Sequence, residues 1–315
     1  MGAAVPQEYL LYLYSMSEFD DSEPIFRFTD NKGHEIEVFK ENLLGKGGNG
    51  RVYKGLDLND VRDVAVKVIA YRGSRELNII IKEIKLLEYV GCTNKHIICY
   101  NSHYKDKKYI FIVTELILSS VELTEYIILH NNPEDVKSIL LQLTRACKYI
   151  LERYMLHLDL KPSNILVTPK DKQIKIIDFG VSCLYKSVED QTSDIDCKKD
   201  TFGGTPNYIS PDMIMHNINL KTDIYSLGWI FFYILSDKRQ RSNVIAEVLD
   251  DNRITFEKIA NLITKETEHD KLIPVVKDFI LPIYEDYKDI VVSMIAYKPE
   301  DRPSYDDIIS ALNNI

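Results

Sequence analysis

The stretch Lys221 to Leu235, "KTDIYSLGWIFFYIL", constrains the fold more than any other part of the chain. Its apolar residues cover nearly the whole circumference of a helix, so this helix is expected to be buried on every side. The unbroken apolar run within it, Leu227 to Leu235, is too short to cross a bilayer, which takes about 20 residues. A chain of 315 residues, 45% hydrophobic and 28% charged, can bury one large core or two modest ones. A soluble, two-lobed body is therefore expected.

Upstream, "EDVKSILLQLTRACKYILERYML" places Val136, Ile139, Leu140, Leu143, Cys147, Ile150 and Tyr154 on one 3.6-residue stripe. That spacing predicts a second core helix. Before Ser119 the texture is different: "RVYKGLDL", "VAVKVIAY" and "YIFIVTEL" are β-prone, with one helix from about Arg75 to Val90 between them. Two short β-prone runs around Asn31-Lys32-Gly33 predict a hairpin. The reading is an α+β chain with a small β-rich N-terminal lobe (about 39–116) and a larger helical C-terminal lobe (about 117–315). The hinge is expected near Glu115 to Ser119, and residues 1–38 are read as an N-terminal arm with a possible β-hairpin.

The net charge of −9 argues against a nucleic-acid groove. The apolar patch "YLLYLYSM" follows "MGAAVPQE", which has no basic residue, so no secretory signal is expected. Pro6 breaks the N-myristoylation pattern. Cysteines 92, 99, 147, 183 and 197 form no CxxC pair, and an odd, scattered set reads as free thiols in a reducing compartment. The expected location is intracellular and cytoplasmic, with the nucleus as the alternative.

Three groups of residues carry chemistry. "GKGGNGRV" gives Gly45-x-Gly47-x-x-Gly50-x-Val52 between two β-prone runs. It suits a glycine flap whose N–H groups face phosphate oxygens better than a dinucleotide fingerprint, which needs a helix after the turn. Lys67 is a lone cation on the apolar strand "VAVKVI" and calls for an anion if it is covered. Glu83 lies on the Ile80–Ile84–Leu87 stripe of the 75–90 helix and is the expected partner, ahead of Glu88 and Glu76. Finally, "HLDLKPSNILV" brings Asp159, Lys161 and Asn164 together shortly before Asp178 in "DFG". Asp159 can take or orient a hydroxyl proton, Lys161 can meet developing phosphoryl charge, and Asn164 and Asp178 offer hard oxygens to Mg²⁺.

Together, "GKGGNGRV", "VAVK", "HLDLKPSN", "DFG", "GTPNYISPD", "TDIYSLG" and "DRPS", in this order from Phe39 to Ile315, resemble the eukaryotic-type protein kinases. The resemblance implies a bilobal fold with ATP and Mg²⁺ between the lobes, and transfer of the γ-phosphoryl group to protein hydroxyls. It implies that Gly45, Lys46, Gly47, Gly50, Val52, Ala65 and Leu166 line the nucleotide, that Lys67 paired with Glu83 holds its phosphates, and that Asn164 and Asp178 hold Mg²⁺. Thr114 is the implied gatekeeper, Glu115, Leu116 and Ile117 present backbone to adenine, and Glu122 is a candidate ribose contact. Asp159 is the implied base, Lys161 the γ-phosphate contact, and Thr205 a contact of both, as in serine/threonine kinases. Leu87, His157 and Phe179 are implied to stack as a spine anchored by Asp223. Protein substrates bearing Ser or Thr, and a regulatory partner, are the implied partners. The alternative is a pseudokinase-like nucleotide-binding scaffold, although such proteins generally lose the equivalents of Lys67, Asp159 or Asp178.

Two departures stand out. Leu158 replaces the arginine that usually grips an activation-segment phosphate, so the resemblance is to kinases of the non-RD type. Between Gly180 and Gly203 the segment holds five acidic residues against three lysines, with Ser187, Thr192, Ser193 and Thr201 as its hydroxyls. A phosphate there meets like charge, so activity is expected not to depend on one. Asp212 stands in "SPD" where the family has "APE", and is expected to reach Arg302. The polar stretch 238–288 is expected to be a solvated insertion or a partner surface.

Overall fold

A computed structural model of the chain describes residues 26–315 apart from 48–49, 131, 186–196, 198–203 and 237–239. The chain divides into two compact units, Met1–Thr93 with Ile98–Leu118, and Asn94–Ile97 with Ser119–Ile315. No helix among the described residues is long and apolar enough to cross a membrane.

The first unit is a six-stranded antiparallel sheet in the order β1-β2-β3-β4-β6-β5. Its strands are β1 (Phe26–Thr29), β2 (Glu35–Gly47), β3 (Gly50–Asp57), β4 (Arg62–Ala70), β5 (Tyr100–Lys105) and β6 (Tyr109–Glu115). Alternation decides which face is which. Val64, Val66 and Val68 of β4 join Ile36, Val38, Phe111 and Val113 in one core face, and Phe26 and Phe28 of β1 are part of the same cluster. The β1–β2 hairpin is therefore built into the sheet. Its turn is closed by Asp30, whose Oδ1 accepts the N–H groups of Lys32 and His34, both at 2.9 Å, with Gly33 at φ +87°. The helix α1 (Ser74–Val90) buries Ile80, Glu83, Ile84, Leu86, Leu87 and Val90.

The second unit is mostly helical. Alongside α2 (Leu123–Leu129), the helix α3 (Pro133–Glu152) starts on Asn132, whose side chain accepts from Glu134 N, with Pro133, Glu134 and Asp135 in the first turn. Its stripe Val136, Ile139, Leu140, Leu143, Cys147 and Ile150 is buried. Tyr154 does not extend the stripe: it sits past the helix end at φ +54° and is exposed. Short strands flank these helices: β7 (Val121–Glu122) before them, and β8 (Met155–Leu156), β9 (Ile165–Thr168), β10 (Gln173–Ile176) and β11 (Cys183–Leu184) after them. They pair as β10-β9-β7 and as β11-β8. After α4 (Pro211–Ile214) comes α5 (Thr222–Leu235), in which every residue is buried.

Two further expectations are corrected. The cysteines are not all thiols: Cys92 pairs with Cys99 and Cys183 with Cys197, leaving Cys147 buried and free. The first pair closes the loop after α1, and the second ties β11 to residue 197; both have Cα atoms close enough for a bridge, at 4.7 and 5.0 Å. Sequence spacings of 7 and 14 carry no sign of this, and the cysteines no longer support a reducing compartment. The 238–288 stretch is not a solvated insertion either. It forms α6 (Arg241–Leu249), α7 (Phe256–Ile263), α8 (Glu266–His269) and α9 (Leu272–Phe279), and Val244, Ile245, Ile259, Leu262, Ile263, Leu272 and Val276 are buried in it. Short amphipathic helices alternate too quickly for a long-window periodicity to expose them.

Candidate active site

In the first unit the strand register assembles one set of residues. Val52 lies opposite Lys67, and Ala65 opposite Thr114. Ala65 and Lys67 are two apart on β4, so all four share the face opposite Val64, Val66 and Val68. From that face the Lys67 ammonium donates to Glu83 Oε1 at 2.6 Å, with both side chains largely buried. Glu76 instead accepts from Arg72 N at 2.7 Å, because it lies in the first turn of α1. The glycine turn joins β2 to β3, with Gly45 opposite Val52, Lys46 opposite Arg51 and Gly47 opposite Gly50. Gly50 has φ +142°, and a Cβ there would sit 2.5 Å from Val68 O, so no other residue fits. At the end of β6, Glu115 accepts Cys99 N–H at 2.8 Å and donates its own N–H to Cys99 O at 2.9 Å. Leu116 and Ile117 follow outside regular structure.

In the second unit the loop 157–164 runs from β8 to β9, and Asp178 follows β10. Asp223, in the first turn of α5, organises its start. Its buried carboxylate accepts His157 N at 2.6 Å and Leu158 N at 2.9 Å. Burial raises its pKa, against the lowering effect of His157 and those two N–H groups. His157 Nδ1 accepts Asp159 N–H at 3.3 Å, which leaves Nε2 to donate to Ile177 O at 3.4 Å. Its ring lies 5.0 Å from that of Phe179. Leu87, the third residue of the implied spine, is buried in α1. Ile177 N donates to Asn164 O at 2.9 Å, so the stretch entering Asp178 is tied to the loop. Leu158 and Asp178 are both non-glycine residues in the left-handed region, at φ +64° and +66°. Such strain persists only where the surroundings over-determine it.

The polar groups then converge. Lys161 Nζ donates to Asp159 Oδ2 at 2.7 Å and to Thr205 Oγ at 3.0 Å. The Thr205 hydroxyl donates to Asp159 Oδ1 at 2.8 Å. Asn164 Nδ2 donates to Asp159 O at 2.9 Å and to its Oδ2 at 3.2 Å. The amide is thereby oriented, with Oδ1 as its remaining donor atom for a cation. Asp159, Lys161, Asn164 and Thr205 are thus brought together although 46 residues separate the ends of the set. Leu166 is half-buried on β9 opposite Lys175 and Glu122. Glu122 is exposed and accepts from Thr124 Oγ at 3.1 Å.

The Leu158 side chain is buried among Leu156, Cys183, Cys197 and Met213. Arg302 Nη2 meets Asp212 Oδ1 at 2.6 Å with both side chains buried, so the shorter acid still reaches its partner. Sequence reading missed three residues around the Thr205 turn: Ser226, Gln240 and Arg241 hold it by side-chain bonds. Nothing in "KRQRSN" sets Arg241 apart from its cationic neighbours.

Comparison with known proteins identifies relatives of this chain. The family model described as "Protein kinase domain" matches residues 39–312. Serine/threonine-protein kinase PLK4 of Danio rerio is 30% identical over 213 residues, covering 65% of this chain and 22% of its own length. Myosin light chain kinase family member 4 of Mus musculus is 32% identical over 204 residues, 63% of this chain and 50% of its own. Serine/threonine-protein kinase PLK2 of Mus musculus is 27% identical over 273 residues, 85% of this chain and 36% of its own. The chain thus spans between about a fifth and a half of the length of these relatives. With the family model covering residues 39–312, this chain belongs to the protein kinase family.

Proposed function

We propose that the chain is a serine/threonine protein kinase that transfers the γ-phosphoryl group of Mg-ATP to protein Ser and Thr hydroxyls. The observation that carries the reading is the triangle of Asp159, Lys161 and Thr205, with Asn164 braced against it. Asp159 presents a carboxylate, held in place by three donors, to the incoming hydroxyl and takes its proton as the oxygen attacks. Lys161 shares its ammonium between Asp159 and Thr205 and stands beside the charge that moves onto the transferring group. Thr205 fixes the rotation of the Asp159 carboxylate. In the first unit, Lys67, held by Glu83, contacts the α- and β-phosphates, and the Gly45–Gly50 turn covers them. Val52, Ala65, Thr114, Glu115, Leu116 and Ile117 receive adenine.

The donor set suits Mg²⁺: Asp178 supplies a hard carboxylate and Asn164 an amide oxygen freed for the purpose by its Nδ2 bonds. Bound there, such an ion would neutralise phosphate charge. The Ser/Thr preference rests on Thr205 and on the serine/threonine-protein kinases to which the chain is similar. Leu158, buried among apolar side chains, supports an enzyme that needs no activation-segment phosphate.

Purified protein with radiolabelled ATP, Mg²⁺ and a Ser/Thr-containing substrate tests the reading, beside Asp159→Asn and Lys67→Met. Wild type is expected to label the substrate and both variants to lose labelling. Equal labelling by wild type and Asp159→Asn would overturn it.

A further inference from the structure

The turn Thr205–Ser210 delivers the Thr205 hydroxyl to Asp159, so its backbone must be held. Within the turn, Thr205 O accepts Tyr208 N–H at 2.8 Å and Ile209 N–H at 3.0 Å. The next carbonyls are taken by side chains from outside. Arg241 donates Nη1 to Ile209 O at 2.7 Å and Nη2 to Pro206 O. Ser226 Oγ donates to Tyr208 O at 2.8 Å, and Asn207 Nδ2 to Gln240 Oε1 at 2.5 Å. Among the described residues, Arg241 is the side chain that reaches both Pro206 and Ile209.

The setting of Arg241 is unusual for a guanidinium. It is 1% exposed, and among the described residues no carboxylate lies within ion-pair distance of it. Instead it lies over the rings of Trp229, at 5.4 Å, and Tyr225, at 5.7 Å, and donates to the Tyr225 hydroxyl at 3.2 Å. That hydroxyl faces His269 Nε2 at 3.2 Å. A phenol that accepts from a guanidinium donates onward, so His269 Nε2 accepts and its Nδ1 carries the proton. Burying a cation without an acid is costly, and cation–π contact and two carbonyls offset only part of that cost. Such a cost is tolerable where a fork geometry is required. Lysine has a single head and cannot span Pro206 O and Ile209 O in this way.

We propose that Arg241 is a positioning residue: its guanidinium fork fixes the Thr205–Ser210 turn and thereby holds the Thr205 hydroxyl between Asp159 and Lys161. This deepens the kinase reading of the same site, and its test includes a readout that needs no activity. Amide hydrogen exchange is measured in wild type, Arg241→Lys and Arg241→Gln. Exchange across residues 205–210 is expected to quicken at least tenfold in both variants, with protection in α5 unchanged. Transfer to a protein substrate is expected to lose about tenfold or more in kcat with the KM for ATP unchanged. Arg241→Lys is expected to add no further loss in a Thr205→Ala background, since it acts through that hydroxyl. Equal exchange across 205–210 in wild type and Arg241→Lys would overturn the assignment, as would full additivity with Thr205→Ala. Should wild type transfer no phosphate at all, the kinase reading falls, and the exchange comparison alone decides the role of Arg241.

Discussion

The backbone N–H of Leu158 donates to Asp223 Oδ1 at 2.9 Å, while its side chain points into a cluster of Leu156, Cys183, Cys197 and Met213. The two halves of this residue therefore serve different ends. Its peptide group shapes the start of the loop that carries Asp159, and any residue able to hold φ +64° supplies that. Its side chain packs the strand pair β8–β11 and the Cys183–Cys197 bridge. An arginine at this position is accordingly expected to harm the protein. Leu158→Arg would bury a guanidinium among apolar side chains and should cost about 3–5 kcal/mol, read as a lower urea midpoint. An unchanged midpoint would show that the cluster can open to solvent at little cost.

Activity is expected to survive loss of the activation-segment hydroxyls. Ser187, Thr192, Ser193 and Thr201 lie outside the described residues, so the expectation rests on Leu158 and on the acidic balance of the segment. A variant with alanine at all four positions should keep its kcat/KM within about tenfold of wild type, roughly 1.4 kcal/mol of barrier. A larger loss would mean that a phosphate there is needed after all.

The Lys67–Glu83 contact makes a separate prediction, because the two groups neutralise each other at 2.6 Å. Glu83→Gln keeps the shape of the side chain and removes its charge, leaving the ammonium to be held by a neutral amide. The KM for ATP is expected to rise about tenfold, a loss of about 1.4 kcal/mol in nucleotide interaction. Titration with a fluorescent nucleotide checks this, and an unaltered affinity would remove Glu83 from the site.

Acid sensitivity should trace in part to His269. Burial, and then the guanidiniums of Arg241 and Arg302, push its pKa from 6.5 down to about 3. Between those values the unfolded chain binds the proton and the folded chain does not. Stability is therefore fully present above about pH 6.5 and falls with pH below it, by at most about 1.4 kcal/mol per pH unit from this group. Chemical denaturation between pH 5 and 7 should give a shallower slope for His269→Gln than for wild type. Parallel slopes would show that His269 takes up its proton equally in the folded and the unfolded chain.

The parts of the site that sequence reading reached are those coded locally. Glu83 stood out as a carboxylate on an apolar helical stripe, and Lys67 as a cation on an apolar strand; the structure joins them. Asp159, Lys161 and Asn164 were visible as a short polar cluster, and Asp212 with Arg302 as a displaced ion pair. The cysteine pairs and the helices between residues 241 and 279 were not visible, because the first depend on where loops end and the second on periods too short to register.

The sequence by itself determined the two textures of the chain, the buried helix 222–235 and the residue types that suit phosphoryl transfer. Each of these is written in the spacing of neighbouring residues, where helix and strand periodicity act directly. Tertiary structure alone decided that Leu158 turns its side chain to the Cys183–Cys197 bridge, and that Arg241 closes on Pro206 and Ile209. These contacts join residues 25 to 39 positions apart. At such separations it is the packing of whole elements that selects which donor meets which acceptor.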